Sequence, residues 1–333
     1  MKRPIPGPIS RWLTMSRRHR ERALIDGFLL LDKPAGVSSN NVLQQVRRLY
    51  DAEKAGHTGS LDPFATGLLP ICFGQATKLG GFLLESDKRY QAQVLLGTQT
   101  STGDPEGEVI ATSDASEVTR SDIEAVIPQL LGEIEQIPPM YSAIKRGGRH
   151  LYELAREGVE IDREPRRVTI HELKLLDVEP GGFSFEVFCS KGTYIRTLAE
   201  DWANLLGQRA YLTGLRRLET GPFRKISMVT MPDLHACNFQ MDRLNALLLP
   251  LAAALGDRPR LDVDAFDAAR LRRGLECGPY PAALPGDVIV YGPEGLASSI
   301  AKVDRNRRVS SKRWIGPEPS EEILASTFAP RRP

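Results

Sequence analysis

The sequence predicts an α+β fold, and three observations carry that reading. Tyr90, Ala92, Val94 and Leu96 alternate with Arg89, Gln91 and Gln93, and Phe183, Phe185, Val187 and Cys189 alternate again far downstream, the period of two that marks half-buried strands. Leu198, Trp202, Leu205 and Leu206 recur instead at helical spacing, up to Gly207. From about residue 258 the texture changes to short apolar runs punctuated by Pro and Gly, so a second, smaller β-rich unit is expected. With 333 residues, 41% of them apolar, the chain exceeds what one ordinary core organises.

Taken in order, residues 1–25 form a flexible basic tail in this reading. Lys2, Arg3, Arg11, Arg17, Arg18, Arg20 and Arg22 face Glu21 alone, and Pro4, Pro6 and Pro8 oppose regular structure. Such a tail reads equally as a sequence-independent phosphate grip or as a solvated leader. Gly27 to Leu31 is a short buried strand ended by Lys33-Pro34, which leaves Lys33 at a turn, where lysines are usually solvated. Ser38 or Ser39 then caps a helix whose apolar side is Val42, Val46 and Leu49. Ser121 and Glu124 read as a capping box for a helix ending near Gly132, with Pro128 disturbing its middle. From Pro138 to about residue 168, Arg146, Arg149, Arg156, Arg163, Arg166 and Arg167 interleave with Glu153, Glu157, Glu160, Asp162 and Glu164, a pattern that also suits a solvated, salt-bridged helix. Arg196 falls at a strand-to-helix junction, where the helix dipole does nothing for a cation, so a carboxylate partner would explain it.

Composition narrows the function classes. The formal net charge is +2, so any nucleic-acid contact must rest on local patches rather than on overall charge. Cys72, Cys189, Cys237 and Cys277 are scattered without a C-x-x-C pair, which suggests neither a zinc site nor a disulfide framework. The longest apolar stretch, around Leu244 to Leu255, falls short of the ~20 residues needed to cross a bilayer, and no apolar stretch follows the basic tail before Leu24 as a secretory signal requires. A soluble, cytoplasmic protein is expected.

The segment from Gly56 to Gly67 packs Gly56, Gly59, Gly67, His57 and Asp62 into a shaped loop. Pro63 pushes Asp62 out of the α region, so its carboxylate sits on extended or turn backbone, and the glycines let a ligand approach the main chain. Asp before Pro near Gly is also ordinary turn chemistry, and the loop alone does not choose. Its company does. Leu29-Leu30-Leu31-Asp32-Lys33-Pro34-Ala35-Gly36-Val37-Ser38-Ser39, the loop from Gly56 to Pro70, Lys88-Arg89-Tyr90, and Ser190-Lys191-Gly192-Thr193-Tyr194-Ile195-Arg196 stand in one order. In that order and approximate spacing the chain resembles the bacterial tRNA pseudouridine synthases of the TruB type, from about Gly27 to Leu218.

The resemblance implies a pseudouridine synthase fold with a large mixed, mainly antiparallel sheet flanked by helices. It implies a catalytic domain over 26–255 with a thumb-like insertion at about 138–168, and a small PUA-like RNA-binding domain over 258–333. By motif match Asp62 is the catalytic residue, His57 helps open the RNA loop, Tyr90 stacks on the target base, and Arg196 is the basic partner of the aspartate. Tyr194 supplies a second ring, Leu215 an apolar wall, and Lys33 the Lys-Pro pair that supports the floor of the site. The implied substrate is the T arm and T loop of tRNA at position 55, with no obligate protein partner and a monomeric enzyme. Two departures stand out: Ser38 where the family more commonly has Thr, and Ser310-Ser311 where a proline often precedes the terminal basic pair.

Making the C-glycoside breaks the bond from N1 to C1′, rotates the freed base and joins C5 to C1′. Nothing is oxidised, so no cofactor or metal is expected, and the sequence contains no Walker loop or dinucleotide fingerprint. One carboxylate serves as a nucleophile or as a base at the 2′ proton; both routes stay open. Two other classes compete: a catalytically silent RNA-binding or chaperone protein, and a glycosidase, which needs two carboxylates flanking the bond where only Asp62 stands out.

Overall fold

Alternating burial organises the main sheet. The computed structural model describes residues 25–316, so the expected basic tail lies outside the described residues. In chain order the strands are β1 (Gly27–Lys33), β2 (Ala55–His57), β3 (Thr66–Phe73), β4 (Lys88–Leu96), the hairpin β5 (Thr98–Thr100) and β6 (Val109–Thr112), and β7 (Gly132–Gln136). A second hairpin, β8 (Lys145–Arg146) and β9 (Arg149–His150), precedes β10 (Arg166–Glu179), β11 (Gly182–Cys189) and β12 (Ala210–Thr220). The central sheet has the order β1-β3-β12-β4-β11-β10-β7, with β2 also on β3. Its neighbours pair antiparallel except β12 beside β3, where the parallel contact is confined to Arg216 with Thr66 and Arg217 with Gly67. Gly67 makes that contact feasible: its φ is +96°, and a Cβ there would meet the Arg217 carbonyl oxygen at 2.3 Å.

The mixed, mainly antiparallel sheet is thus the one expected, and β4 runs through its middle. Tyr90, Ala92, Val94 and Leu96 are all buried, as are Phe183, Phe185, Val187 and Cys189 on β11. Helix Ile195–Leu205 covers this face, with Leu198, Ala199, Trp202 and Ala203 fully buried. Trp202 packs against Phe183 and Phe185, and its indole N–H reaches the Ile123 carbonyl at 3.2 Å, which satisfies its one polar atom. A separate core lies under β1 and β3, where helix Ser39–Leu49 buries Val42, Leu43, Val46 and Leu49.

The C-terminal unit is a four-stranded sheet of β13 (Arg260–Asp262), β14 (Gly286–Tyr291), β15 (Ala297–Val303) and β16 (Val309–Trp314) with helix Ala265–Arg272. Val288 and Val290 join one cluster with Val263 and Leu271, whereas Ile289 joins Phe28, Leu30 and Phe223 of the main unit. A strand buried on both faces explains the unbroken apolar run there.

Two local expectations need correction. The helix read from Ser121 and Glu124 runs Arg120–Ala125 and is capped two residues earlier, by Thr119 and Asp122, whose side chains exchange bonds with each other's backbone. Thr119 holds extended backbone, which a cap requires, and Glu124 instead pairs with Arg120 at 3.0 Å. Pro128 lies in the first turn of a separate short helix, Ile127–Leu130, rather than in the middle of one helix. Leu205, at the end of its helix, is exposed rather than buried.

Candidate active site

Asp62 is held where Pro63 and the glycines leave it, at the edge of a cavity of about 390 Å³. Its loop is fastened from behind at three points. The Ser39 hydroxyl accepts from the Leu61 N–H at 2.8 Å and donates to the Leu61 carbonyl at 2.9 Å. Ser38 caps the helix, so the adjacent serines divide two tasks. Lys33, fully buried, donates to the carbonyls of Pro34 (2.9 Å), Pro63 (3.1 Å) and Ala65 (2.7 Å), and burial pulls its pKa down to about 8 against the opposing pull of Asp62. It therefore lies beneath the loop, neither solvated nor in the cavity wall. Arg217, also buried, donates to Leu68 at 2.7 Å and to Gly59 at 2.9 Å, tying the loop to β3.

Arg196 meets Asp62 in front. Its Nε lies 3.0 Å from Asp62 Oδ2, while Nη1 reaches Asp104 Oδ2 at 3.3 Å and the Thr102 carbonyl at 2.6 Å, and Nη2 reaches the Tyr141 carbonyl at 2.7 Å. The grip on Asp62 is single and the guanidinium is shared between two carboxylates. Burial raises the Asp62 pKa above 3.8, Arg196 lowers it, and Asp104 raises it again. Although the side chain is 37% exposed towards the cavity, the protein packed behind it makes the charged form costly.

Tyr90, Tyr194 and Leu215 line the same cavity with Asp62 and Arg196. Tyr90 pairs in register with Arg217 across β4 and β12, so its ring rises from the sheet floor, and burial raises its phenol pKa. Tyr194 stands at the N-terminus of helix Ile195–Leu205, and its peptide is clasped by the Gln136 side chain, which accepts from its N–H at 3.0 Å and donates to its carbonyl at 3.3 Å. His57 does not line the cavity. It lies half-buried on β2, with Nδ1 lacking a partner and with burial and Arg217 both lowering its pKa.

Sequence reading missed Asp104, Arg217, Lys88 and Gln136. Asp104 carried a usable signal: Gly103-Asp104-Pro105 repeats the Asp-Pro texture of the first loop. Lys88 stood inside the Lys88-Arg89-Tyr90 motif without being assigned a role, and the two others carried no signal, because nothing local distinguishes a buried arginine or glutamine in a strand. Among the described residues no group of three or more His, Cys, Asp or Glu side chains is placed to hold a metal ion, and no helix is long and apolar enough to cross a membrane.

The model of the TruB family pseudouridylate synthase N-terminal domain matches residues 47–195, and that of the tRNA pseudouridylate synthase B C-terminal domain matches 196–256. The chain is 54% identical to the tRNA pseudouridine synthase B of Chromohalobacter salexigens over 263 residues, covering 78% of this chain and 84% of that protein. It is 51% identical to the protein of the same name from Nitrosococcus oceani, covering 87% and 95%. Among solved structures, a chain from the crystal structure of a Cbf5-Nop10-Gar1 complex superposes with a TM-score of 0.68 at 24% identity, over 87% of this chain and 85% of that one, a likeness of fold. The chain belongs to the TruB family of tRNA pseudouridine synthases, isomerases that convert uridine to pseudouridine in tRNA.

Proposed function

We propose that the enzyme acts on the T loop of tRNA, at position 55, with Asp62 as its catalytic carboxylate and without a cofactor. The observation that carries this reading is the placement of Asp62: it is the sole acid among the cavity-lining residues, 3.0 Å from Arg196 and facing Tyr90, Tyr194 and Leu215. The cleaved N1–C1′ bond and the new C5–C1′ bond belong to one nucleotide, so the base must leave its stack, turn over and stay bound. Unstacking costs a few kcal/mol, roughly what stacking on Tyr90 offsets. Asp62 in its ionised form serves either as nucleophile or as base at the 2′ proton, and Arg196 keeps it ionised in a mostly dry cavity. His57, half-buried on β2, enters the RNA loop where the base has left it.

Lys33 supports the loop and does not touch RNA. Residues 26–255 act as the catalytic domain, the 138–168 insertion closes on the RNA as a thumb, and the unit from 258 onward, PUA-like, binds the rest of the T arm. The enzyme works as a cytoplasmic monomer. A glycosidase is disfavoured because Asp104, the second carboxylate, is buried against Arg196 and does not line the cavity. The test is Asp62→Asn, read by tRNA affinity and by pseudouridine content. Binding is expected to persist while product falls by about 10³-fold or more. Substantial product from this variant would return Asp62 to a turn residue and favour a silent RNA-binding role for the loop.

A further inference from the structure

Two cations of the cavity have no acid to answer them. Lys88, at the start of β4, and Arg217 both line it, with 7% and 1% of their surface exposed. Among the described residues neither comes within salt-bridge distance of a carboxylate: the nearby acids are taken, Glu85 by Lys191 and Asp87 by His171 at 3.3 Å. Their polar contacts are neutral, the main-chain oxygens of Leu84 (3.1 Å) and Ser86 for Lys88, and those of Leu68 and Gly59 together with the Tyr90 hydroxyl for Arg217. Lys88 gives two of its three N–H groups to these contacts, and Arg217 three of its five. Burying a charge without a counter-ion costs several kcal/mol, and burial brings the Lys88 pKa down to about 8.

Gly59 lies between the catalytic loop and both cations. Its φ is +90°, and a Cβ built on it would stand 3.4 Å from Arg217 Nη1 and 3.8 Å from both Lys88 Cε and Leu84 Cδ2. The bare main chain of Gly59 therefore lies against both side chains, in the wall of the cavity that also carries Asp62. We propose that Lys88 and Arg217, across Gly59, form a subsite for one RNA backbone phosphate next to the target nucleotide, so that flipping the base and neutralising the two cations occur together. The inference rests on the proposed T-loop reaction and adds to it the charge that holds the flipped nucleotide's backbone.

The test uses the wild-type protein and synthetic T-arm stem–loops that carry a single uncharged methylphosphonate linkage, placed 5′ or 3′ of the target uridine, with single-turnover pseudouridine formation as the readout. One of the two linkages is expected to raise the half-saturating protein concentration roughly tenfold, the worth of one charge-assisted contact. Lys88→Met is expected to raise it on the natural RNA by a similar factor and to be indifferent to that same linkage, while Lys88→Arg restores sensitivity. If neither linkage matters to the wild type, or if the Lys88→Met and linkage effects multiply, the subsite is wrong. Lack of product on the unmodified stem–loop would instead count against the T-loop reading.

Discussion

The Asp62 loop and the 138–168 insertion both reach the RNA in this reading, yet they are held by opposite means. Behind the loop stand Lys33, Ser39 and Arg217, all buried, each bonded to main-chain atoms far away in sequence. The insertion has two-residue strands and a helix of six residues, Leu151–Arg156, with Leu151 its one buried side chain. Its ion pairs, Arg149 with Glu157 and Arg163 with Glu160, are surface pairs. A reacting carboxylate must be placed to a fraction of an ångström, which needs buried, satisfied polar bonds; a segment that closes on RNA must leave its charges available to solvent and phosphate. Arg196 links the two regions, with Nε on Asp62 and Nη2 on the Tyr141 carbonyl, and Ser142 and Ala143 line the cavity beside Asp62.

Arg196→Met tests that junction hardest. It strands Asp62 and Asp104 without their shared cation and is expected to cost about 3–5 kcal/mol of stability in chemical denaturation and to abolish product. If Asp62 and Arg196 instead act independently, the single and double substitutions will be additive in activity. Lys33→Met leaves three carbonyls without their donor, so a loss of about 3 kcal/mol and a large fall in kcat are expected with RNA affinity retained. An affinity defect in that variant would place Lys33 in contact with RNA after all. Ser39→Ala removes both bonds to Leu61 and should cost about 2 kcal/mol, seen as a lower melting temperature, with turnover reduced less than for Lys33→Met.

A pH series sharpens the same contrast. Because the native Asp62 pKa lies above 3.8, the folded state holds this proton to higher pH than the unfolded chain does. Stability from this group therefore declines as pH rises through that window, and the carboxylate needed for chemistry forms only above it. Activity should fall on the acid side at a pH above 3.8, and Asp62→Asn should gain stability relative to wild type as pH rises across the same range. An acid limb at or below 3.8 would mean an exposed, ordinary carboxylate. The smallest effect is expected in the insertion: Glu160→Gln should leave the melting temperature unchanged, and a clear drop would show that its surface pairs hold the segment together.

The sequence by itself determined the elements whose cause is local. Period-two burial on β4 and β11, the helix after Ser38, and the exit of Asp62 from helical backbone before Pro63 follow from side-chain alternation, cap chemistry and ring sterics, which act within a few residues. It also brought Asp62, Tyr90, Tyr194 and Arg196 into view through motifs in order, though not their arrangement. Only the tertiary structure decided that Lys33 is buried under the loop and that Arg196 divides itself between Asp62 and Asp104. The register of β12 against β3 and β4 likewise set Arg217 beside Tyr90 and Gly59. Each of these turns on which distant group fills the coordination left by a buried charge or backbone atom, and that partner is chosen by packing across the sheet, beyond the reach of neighbours along the chain.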